Sequence, residues 1–373
     1  MKNKNSKTER DVFKDLKHLV NEYLSQSPIK AIGPSKMYLK SAFLISCWII
    51  SYILLLIVGP MSSIAGVVCL GVLLLLTCGL EFCIMHDASH KAYSSNRFVN
   101  KLALNMTLGV LGGCPLSWHQ EHVVRHHSYT NILGSDPDVY ASHVIRLHPH
   151  DKWYWWQKWQ HYYAIPLYSL MWIHWVYNDL INATFNTYQL PKKKLLQFWG
   201  LIFLGLVPHV TLGLVLPYLV FNSMWVVGLS YMAFFMSVSF AMAITFVLAH
   251  VSDGQSFYLS HETKNKDWAV HQLETTMDFA VDNKFLTWLL GGLNFQVEHH
   301  IFPTICHLHY PKIQKIVKTY CKEQSIPYHE EKSVWSAFKS HLAHLEAMSV
   351  PVREESLKAA IANVYNTKEV GIA

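Results

Sequence analysis

The sequence predicts an all-α integral membrane protein with four transmembrane helices in two hairpins. Two observations predict it. Of the 373 residues, 51% are hydrophobic and the mean hydropathy is +0.16, too apolar for an ordinary soluble chain. The apolar residues are also gathered: Asp, Glu, Lys and Arg are absent from Ser41 to Leu80 and again from Leu195 to Ser252.

A helix rises about 1.5 Å per residue, so a hydrocarbon core of roughly 30 Å takes about 20 residues, and each stretch holds two crossings. Gly59-Pro60-Met61-Ser62-Ser63 breaks the first stretch into spans at about 41–59 and 62–82, and Asn222-Ser223 breaks the second into 196–221 and 225–250. Soluble helices of that length are rarely apolar on every face. Lys30, Lys36 and Lys40 precede the first span and Lys192-Lys193-Lys194 the third, whereas the turns inside each hairpin carry no charge. By the positive-inside rule, both termini and the 81–194 segment are cytoplasmic. The net charge of +6 then reads as membrane orientation and contact with anionic headgroups, not as nucleic-acid binding.

Three regions result: a cytosolic amphipathic segment (1–40), a membrane domain (41–320) and a cytosolic tail (321–373). In the first, Thr8-Glu9-Arg10-Asp11 has the form of a capping box, and Phe13, Leu16, Leu19, Val20, Tyr23 and Leu24 recur at helical spacing. Such a helix lies against the bilayer or against a cytosolic cap. The polar first forty residues hold no secretory signal. At 153–163, WYWWQKWQHYY surrounds Lys and His with aromatics and suits the headgroup level. In the tail, Trp335, Phe338, Leu342 and Leu345 repeat as on a helix, and no chemistry is assigned there. Of the seven cysteines, four lie in or beside predicted helices and none forms a C-x-x-C pair, so they read as small apolar residues.

The chemistry lies in the 23 histidines, whose informative members cluster just beyond the predicted helix ends. His86-Asp87-Ala88-Ser89-His90 follows the second span by about one turn, and a continued helix puts its i and i+4 imidazoles on one face. His122-Val123-Val124-Arg125-His126-His127 repeats that pair and adds a neighbour turned by about 100°. Gln296-Val297-Glu298-His299-His300 again ends in a doublet, and His250 closes the fourth span on the same side. Pairing the hairpins brings these places to one mouth of the bundle. Eight imidazoles suit iron, zinc or copper and exceed the needs of one ion, so two metals are implied. A soluble di-iron bundle would offer Glu and Glu-x-x-His pairs instead. His119, His209, His271, His307 and His309 fit the pattern less cleanly and are left as structural residues or supports.

H-D-A-S-H, W-H-Q-E-H-V-V-R-H-H-S-Y-T-N and N-F-Q-V-E-H-H-I-F-P resemble the three histidine boxes of membrane fatty acid desaturases, over roughly residues 40 to 320. Gln296 in place of a histidine is similar to the front-end branch, which inserts a double bond between an existing one and the carboxyl end. His250 falls where that family has a further iron-ligating histidine. The resemblance implies four spanning helices under a cytosolic helical cap, with two non-haem irons held by His86, His90, His122, His126, His127, His250, His299 and His300 and with O2 as co-substrate. It implies an acyl lipid or acyl-CoA substrate in an ER or bacterial inner membrane. No His-Pro-Gly-Gly haem motif precedes the first span, so electrons are expected from a separate cytochrome b5 or ferredoxin with its reductase. Asp87, Asp136 and Glu298 are candidate acceptors for imidazole N–H groups. Gln296 and His307 remain open as ligands or supports.

Three other readings stand beside this one. A hydroxylase, acetylenase or ketolase would share every ligand. A membrane cytochrome would place paired histidines near the bilayer centre, and a non-enzymatic metal-binding receptor or transporter would need a polar path through the helices, which the charge-free spans do not offer.

Overall fold

In the computed structural model, residues 11–141 and 143–351 are described, and four helices among them are long and apolar enough to cross a membrane: Ser35–Val58, Ser63–Ser89, Lys192–Phe221 and Met224–His250. Local chemistry sets their ends. Ser62 and Ser223 cap the second and fourth, accepting from the backbone N–H of Ala65 and Val226, and Asn222 stops the third in the left-handed region at φ 47°. The first starts earlier than the charge-free run, directly after Pro34, because nothing between Ser35 and Ser41 opposes a helix. Lys36 and Lys40 therefore sit on it. The second runs past the apolar stretch and carries His86 on its own last turns.

Among the described residues, two of the three π-helical segments fall at the histidines, Glu81–Met85 and His119–His126, and the third is Thr211–Val215. A π turn bonds i to i+5, so it rotates everything after it relative to an α-helix. His119–His126 is thus not the plain α-helix that the i, i+4 spacing suggested. The pair still meets, with the His122 and His126 rings 5.4 Å apart and near parallel.

The first two long helices pack along one another, pinned where Trp48 Nε1 donates to Thr77 Oγ1 (2.9 Å). The third packs on helix Arg97–Leu111, and the fourth on helix Met171–Thr184 and on the second. A separate apolar core lies beyond the histidine-bearing ends. There the N-terminal helix Val12–Gln26 buries Val12, Leu16 and Val20 against Ile301, Ile313 and Val317. That helix packs on protein, and Leu19, expected on its apolar face, is exposed. Its cap is Asp11, whose Oδ1 accepts from Lys14 N at 2.9 Å. The capping box proposed at Thr8 lies outside the described residues.

Helix Val334–Ala347 follows the periodicity read in the tail with its face rotated. Ala337, His341, His344 and Leu345 are buried, while Trp335 is exposed. The rotation follows from hydrogen bonding, since His341 reaches Tyr168 OH (2.8 Å) and His344 reaches the Leu147 carbonyl (2.7 Å). In the aromatic segment, Trp155, Trp159 and Tyr162 are exposed as a surface belt requires.

The third box stands on a tight backbone approach. Gly291 and Gly292 both have positive φ, and a Cβ on Gly291 would lie 2.3 Å from the Phe82 carbonyl oxygen. Gly291→Ala is therefore expected to cost about 1–3 kcal/mol, on backbone strain alone, and to lower the thermal midpoint in detergent. Gly228→Ala, in a helix with open space around it, should be neutral or slightly stabilising in the same fluorescence melt.

Candidate metal centre

The second long helix delivers His86 and its continuation His90; the 115–129 helix delivers His122, His126 and His127; the fourth long helix ends on His250; helix Gln296–Ile301 adds His299 and His300. All eight are buried. Their ring nitrogens fall into overlapping groups, each within 4.8 Å: His86, His90, His122 and His299; His126, His250 and His300; and His127 with His299 and His300. His127 thus lies between the first two groups. In the first, His86 Nε2 is 3.1 Å from His122 Nε2, and His299 Nε2 is 3.0 Å from His127 Nε2. Two nitrogens each about 2.1 Å from one ion, at roughly a right angle, are about 3 Å apart.

The second group shows most clearly what the rings are prepared for. His126 Nδ1 donates to the Asp136 carboxylate (3.1 and 3.2 Å), His300 Nδ1 to Gln272 Oε1 (2.8 Å) and His250 Nδ1 to the Thr275 carbonyl (3.4 Å). Each partner oxygen can only accept, so each ring holds a proton on Nδ1; the Nε2 of His300 then has no partner, while that of His250 accepts from Gln296 Nε2 at 2.8 Å. In the first group, His299 Nδ1 meets Tyr310 OH at 3.2 Å.

Among these eight histidines, three buried ring nitrogens find no hydrogen-bond partner within the described residues: His90 Nε2, His127 Nδ1 and His300 Nε2. An unsatisfied buried polar atom costs about 1–3 kcal/mol, and a bound cation removes that cost. Burial pushes His90, His122, His127, His299 and His300 well below the ordinary imidazole range, so they are neutral and ready to ligate. His126 differs. Burial pulls it down, but Asp136 and Asp138 overrule this and carry it up to about 9. A carboxylate behind a ring attracts positive charge to it, as proton or as metal. This donor set fits a pair of first-row transition ions.

The remaining sequence candidates separate. Asp136 takes the role read for it. Asp87 does not reach a clustered histidine: its Oδ2 accepts from His307 Nδ1 (2.9 Å), and His307 Nε2 lies 3.1 Å from Lys40 Nζ, which also donates to the Trp288 carbonyl. The Asp87–His307 pair therefore ties the first box to the first long helix instead of facing the centre. Glu298 turns toward Tyr328 OH (3.1 Å) and Asp278, because the next two residues on its short helix occupy the inward face. Burial and then Asp278 push Glu298 well above the carboxylate range. Gln296 Nε2 sits 2.8 Å from His250 Nε2, inside the second group. His119 is exposed, while His209, His271 and His309 bond the carbonyls of Val110, Thr130 and Lys30. Sequence reasoning missed Gln272, Thr275 and Tyr310, which carry no motif, and Asp138, which stands two residues from Asp136 and reaches His126 Nδ1 at 3.2 Å.

A cavity of about 350 Å³ meets this centre, bordered by His122 and His250 and walled by Trp118, Tyr168, Trp175 and Phe246. At its polar side, Glu121 Oε1 accepts from Asn178, Asn182 and Tyr188. A second cavity of about 410 Å³ lies among the long helices and touches none of the eight histidines.

Comparison with known proteins accords with this arrangement. The family profile described as fatty acid desaturase matches residues 62–332. The chain is 30% identical over 345 residues to the sn-1 linoleoyl-lipid 6-desaturase of Arthrospira platensis, covering 90% of this chain and 92% of that one. It is 30% identical over 351 residues to the acyl-lipid (8-3)-desaturase of Physcomitrium patens, covering 91% and 72%. An acyl-lipid (8-3)-desaturase of Mortierella alpina is 34% identical over 283 residues, covering 73% and 62%. With buried histidines gathered beside four membrane-length helices and a profile match over most of its length, the chain belongs to the fatty acid desaturase family of membrane oxidoreductases.

Proposed function

We propose that this enzyme desaturates the acyl chain of a membrane lipid, placing a cis double bond between an existing one and the carboxyl end. The observation that carries the reading is the set of acceptor-locked rings, His126, His250 and His300, of which His250, together with His122, borders an apolar cavity. The relatives named as linoleoyl-lipid and acyl-lipid desaturases support a lipid-linked substrate. His86, His90, His122 and His299 would hold one iron, His126, His250 and His300 the other, with His127 between them and Gln296 beside His250. Bound there, the two ions would supply O2 reduction and the oxidising power to remove two hydrogens from an unactivated methylene pair, which acid or base chemistry cannot begin.

The chain's own residues do the positioning. Trp118, stacked on His122 with centroids 4.3 Å apart, and Phe246, 6.2 Å from that ring, form apolar walls that hold a chain against the centre. Asp136 fixes the His126 ring, and Gln272 that of His300. In the bilayer, the four long helices would stand as two hairpins with the separate core as a cap in the cytoplasm, together with both termini, in an ER or bacterial inner membrane. The same reading keeps residues 41–320 as the catalytic unit, flanked by cytosolic segments, and takes electrons from a separate cytochrome b5 or ferredoxin.

Expression in a host of known lipid composition, followed by mass spectrometry of double-bond positions, should reveal a new double bond on the carboxyl side of an existing one. A hydroxylated product alone would overturn the reading. Metal analysis of protein from iron-replete cells should find two irons per chain. His250→Ala should lose iron and abolish desaturation while remaining membrane-inserted, as should His126→Ala; full iron content in His250→Ala would remove it from the site. Asp136→Ala keeps every imidazole but leaves the His126 ring only its 3.2 Å contact with Asp138, and is expected to weaken metal retention about 10- to 100-fold in a chelator titration.

A further inference from the structure

The cavity of about 410 Å³ among the long helices has no part in the chemistry above. Its lining includes Trp48, Tyr52, Leu70, His209, Tyr231 and Phe235. The first turn of helix Met171–Thr184 touches the walls of both cavities. Met171 lines the histidine-bordered cavity. The next residue, Trp172, turns its ring the other way, onto His209 (5.0 Å), Phe235 (5.1 Å) and Tyr231 (5.8 Å), all of which line the intramembrane one. One indole therefore stands between the two spaces.

The polar atoms of this partition are satisfied within the protein. Trp172 Nε1 donates to the Leu111 carbonyl (2.5 Å), and its backbone N–H to Ser239 Oγ (3.2 Å). His209 Nδ1 donates to the Val110 carbonyl (2.8 Å), which leaves Nε2 to accept from Tyr231 OH (2.5 Å). A histidine inside a membrane helix is costly and is retained where it performs a task. Here it anchors a flat aromatic wall.

We propose that the two cavities are one acyl-binding channel, and that the Trp172–His209–Tyr231 partition sets how long a chain can extend beyond the metal centre. The inference rests on the desaturase reading and deepens it. Oxidation near the carboxyl end leaves most of an acyl chain on the methyl side, and that part needs apolar volume beyond His122 and His250. The intramembrane cavity supplies such volume at the depth where lipid tails lie. Its occupant is the methyl end of the substrate's own chain.

The test uses the full chain in cells supplied with acyl chains that carry the same double bonds, counted from the carboxyl end, but differ by two carbons at the methyl end. The readout is the ratio of longer to shorter product. Trp172→Ala widens the passage between the cavities and should raise that ratio about tenfold, since one methylene in a hydrophobic pocket is commonly discriminated by about that factor or more. Ser230→Phe fills the intramembrane cavity from its lining and should lower it. Misfolding would reduce both products alike; Trp172→Leu replaces the alanine variant if that protein does not accumulate. Ratios unchanged from wild type in both variants would overturn the proposal, and so would a response to Trp172→Ala without one to Ser230→Phe. Wild-type protein that desaturates neither chain would overturn the desaturase reading itself.

Discussion

Everything in this fold answers to one requirement, that eight imidazoles be buried together with their electron pairs converging. Burial alone drives such rings toward neutrality, and neutral rings crowded with bare nitrogens are stable only if something cationic joins them. The surrounding structure then has to do two things. It must supply an acceptor behind each ring that needs its tautomer fixed, and it must keep the rings from turning away to find easier partners. Asp136, Gln272 and the Thr275 carbonyl do the first for His126, His300 and His250. The rigid ends of long helices do the second.

Those helices are long for a second reason, the thickness of a bilayer, and the two demands meet at the π-helical segments. A straight α-helix from Ser63 would bring its last turns to the centre with a rotation fixed by length alone. The π turn at Glu81–Met85 decouples rotation from length, so His86 and His90 both face inward. The same device across His119–His126 aims His122 at one group while His126 serves the other. Glu81, fully buried in the first of these turns, has no hydrogen-bond partner for either carboxyl oxygen among the described residues.

Much of this was legible in the sequence because it is written in short, local patterns. Runs without charge locate the long helices, and histidines at i and i+4 locate the buried cluster. Helix bounds were less legible where no residue opposes extension, as between Ser35 and Ser41. Long-range partners were invisible for a different reason. Gln272 and Tyr310 are ordinary residues that matter only because the fold sets them behind His300 and His299. Glu298 looked like an acceptor by adjacency, yet a short helix that turns His299 and His300 inward must turn Glu298 elsewhere. His341 and His344 show the converse, histidines spent on carbonyl and phenol partners of the packed core.

The packing of Val12, Leu16 and Val20 on Ile313 and Val317 has a bearing on how the molecule is made. The helix Val12–Gln26 emerges from the ribosome long before the residues that cover its apolar face, which come together with the helix that carries Tyr310 to His299. Until then that face must wait against the membrane surface or a chaperone, and the third histidine box has no floor. The histidines of the first two boxes are by that stage already made but lack the partners that the third box brings. Closure of the histidine cluster is thus a late event of biogenesis, and a chain truncated before Val317 would leave that cluster open.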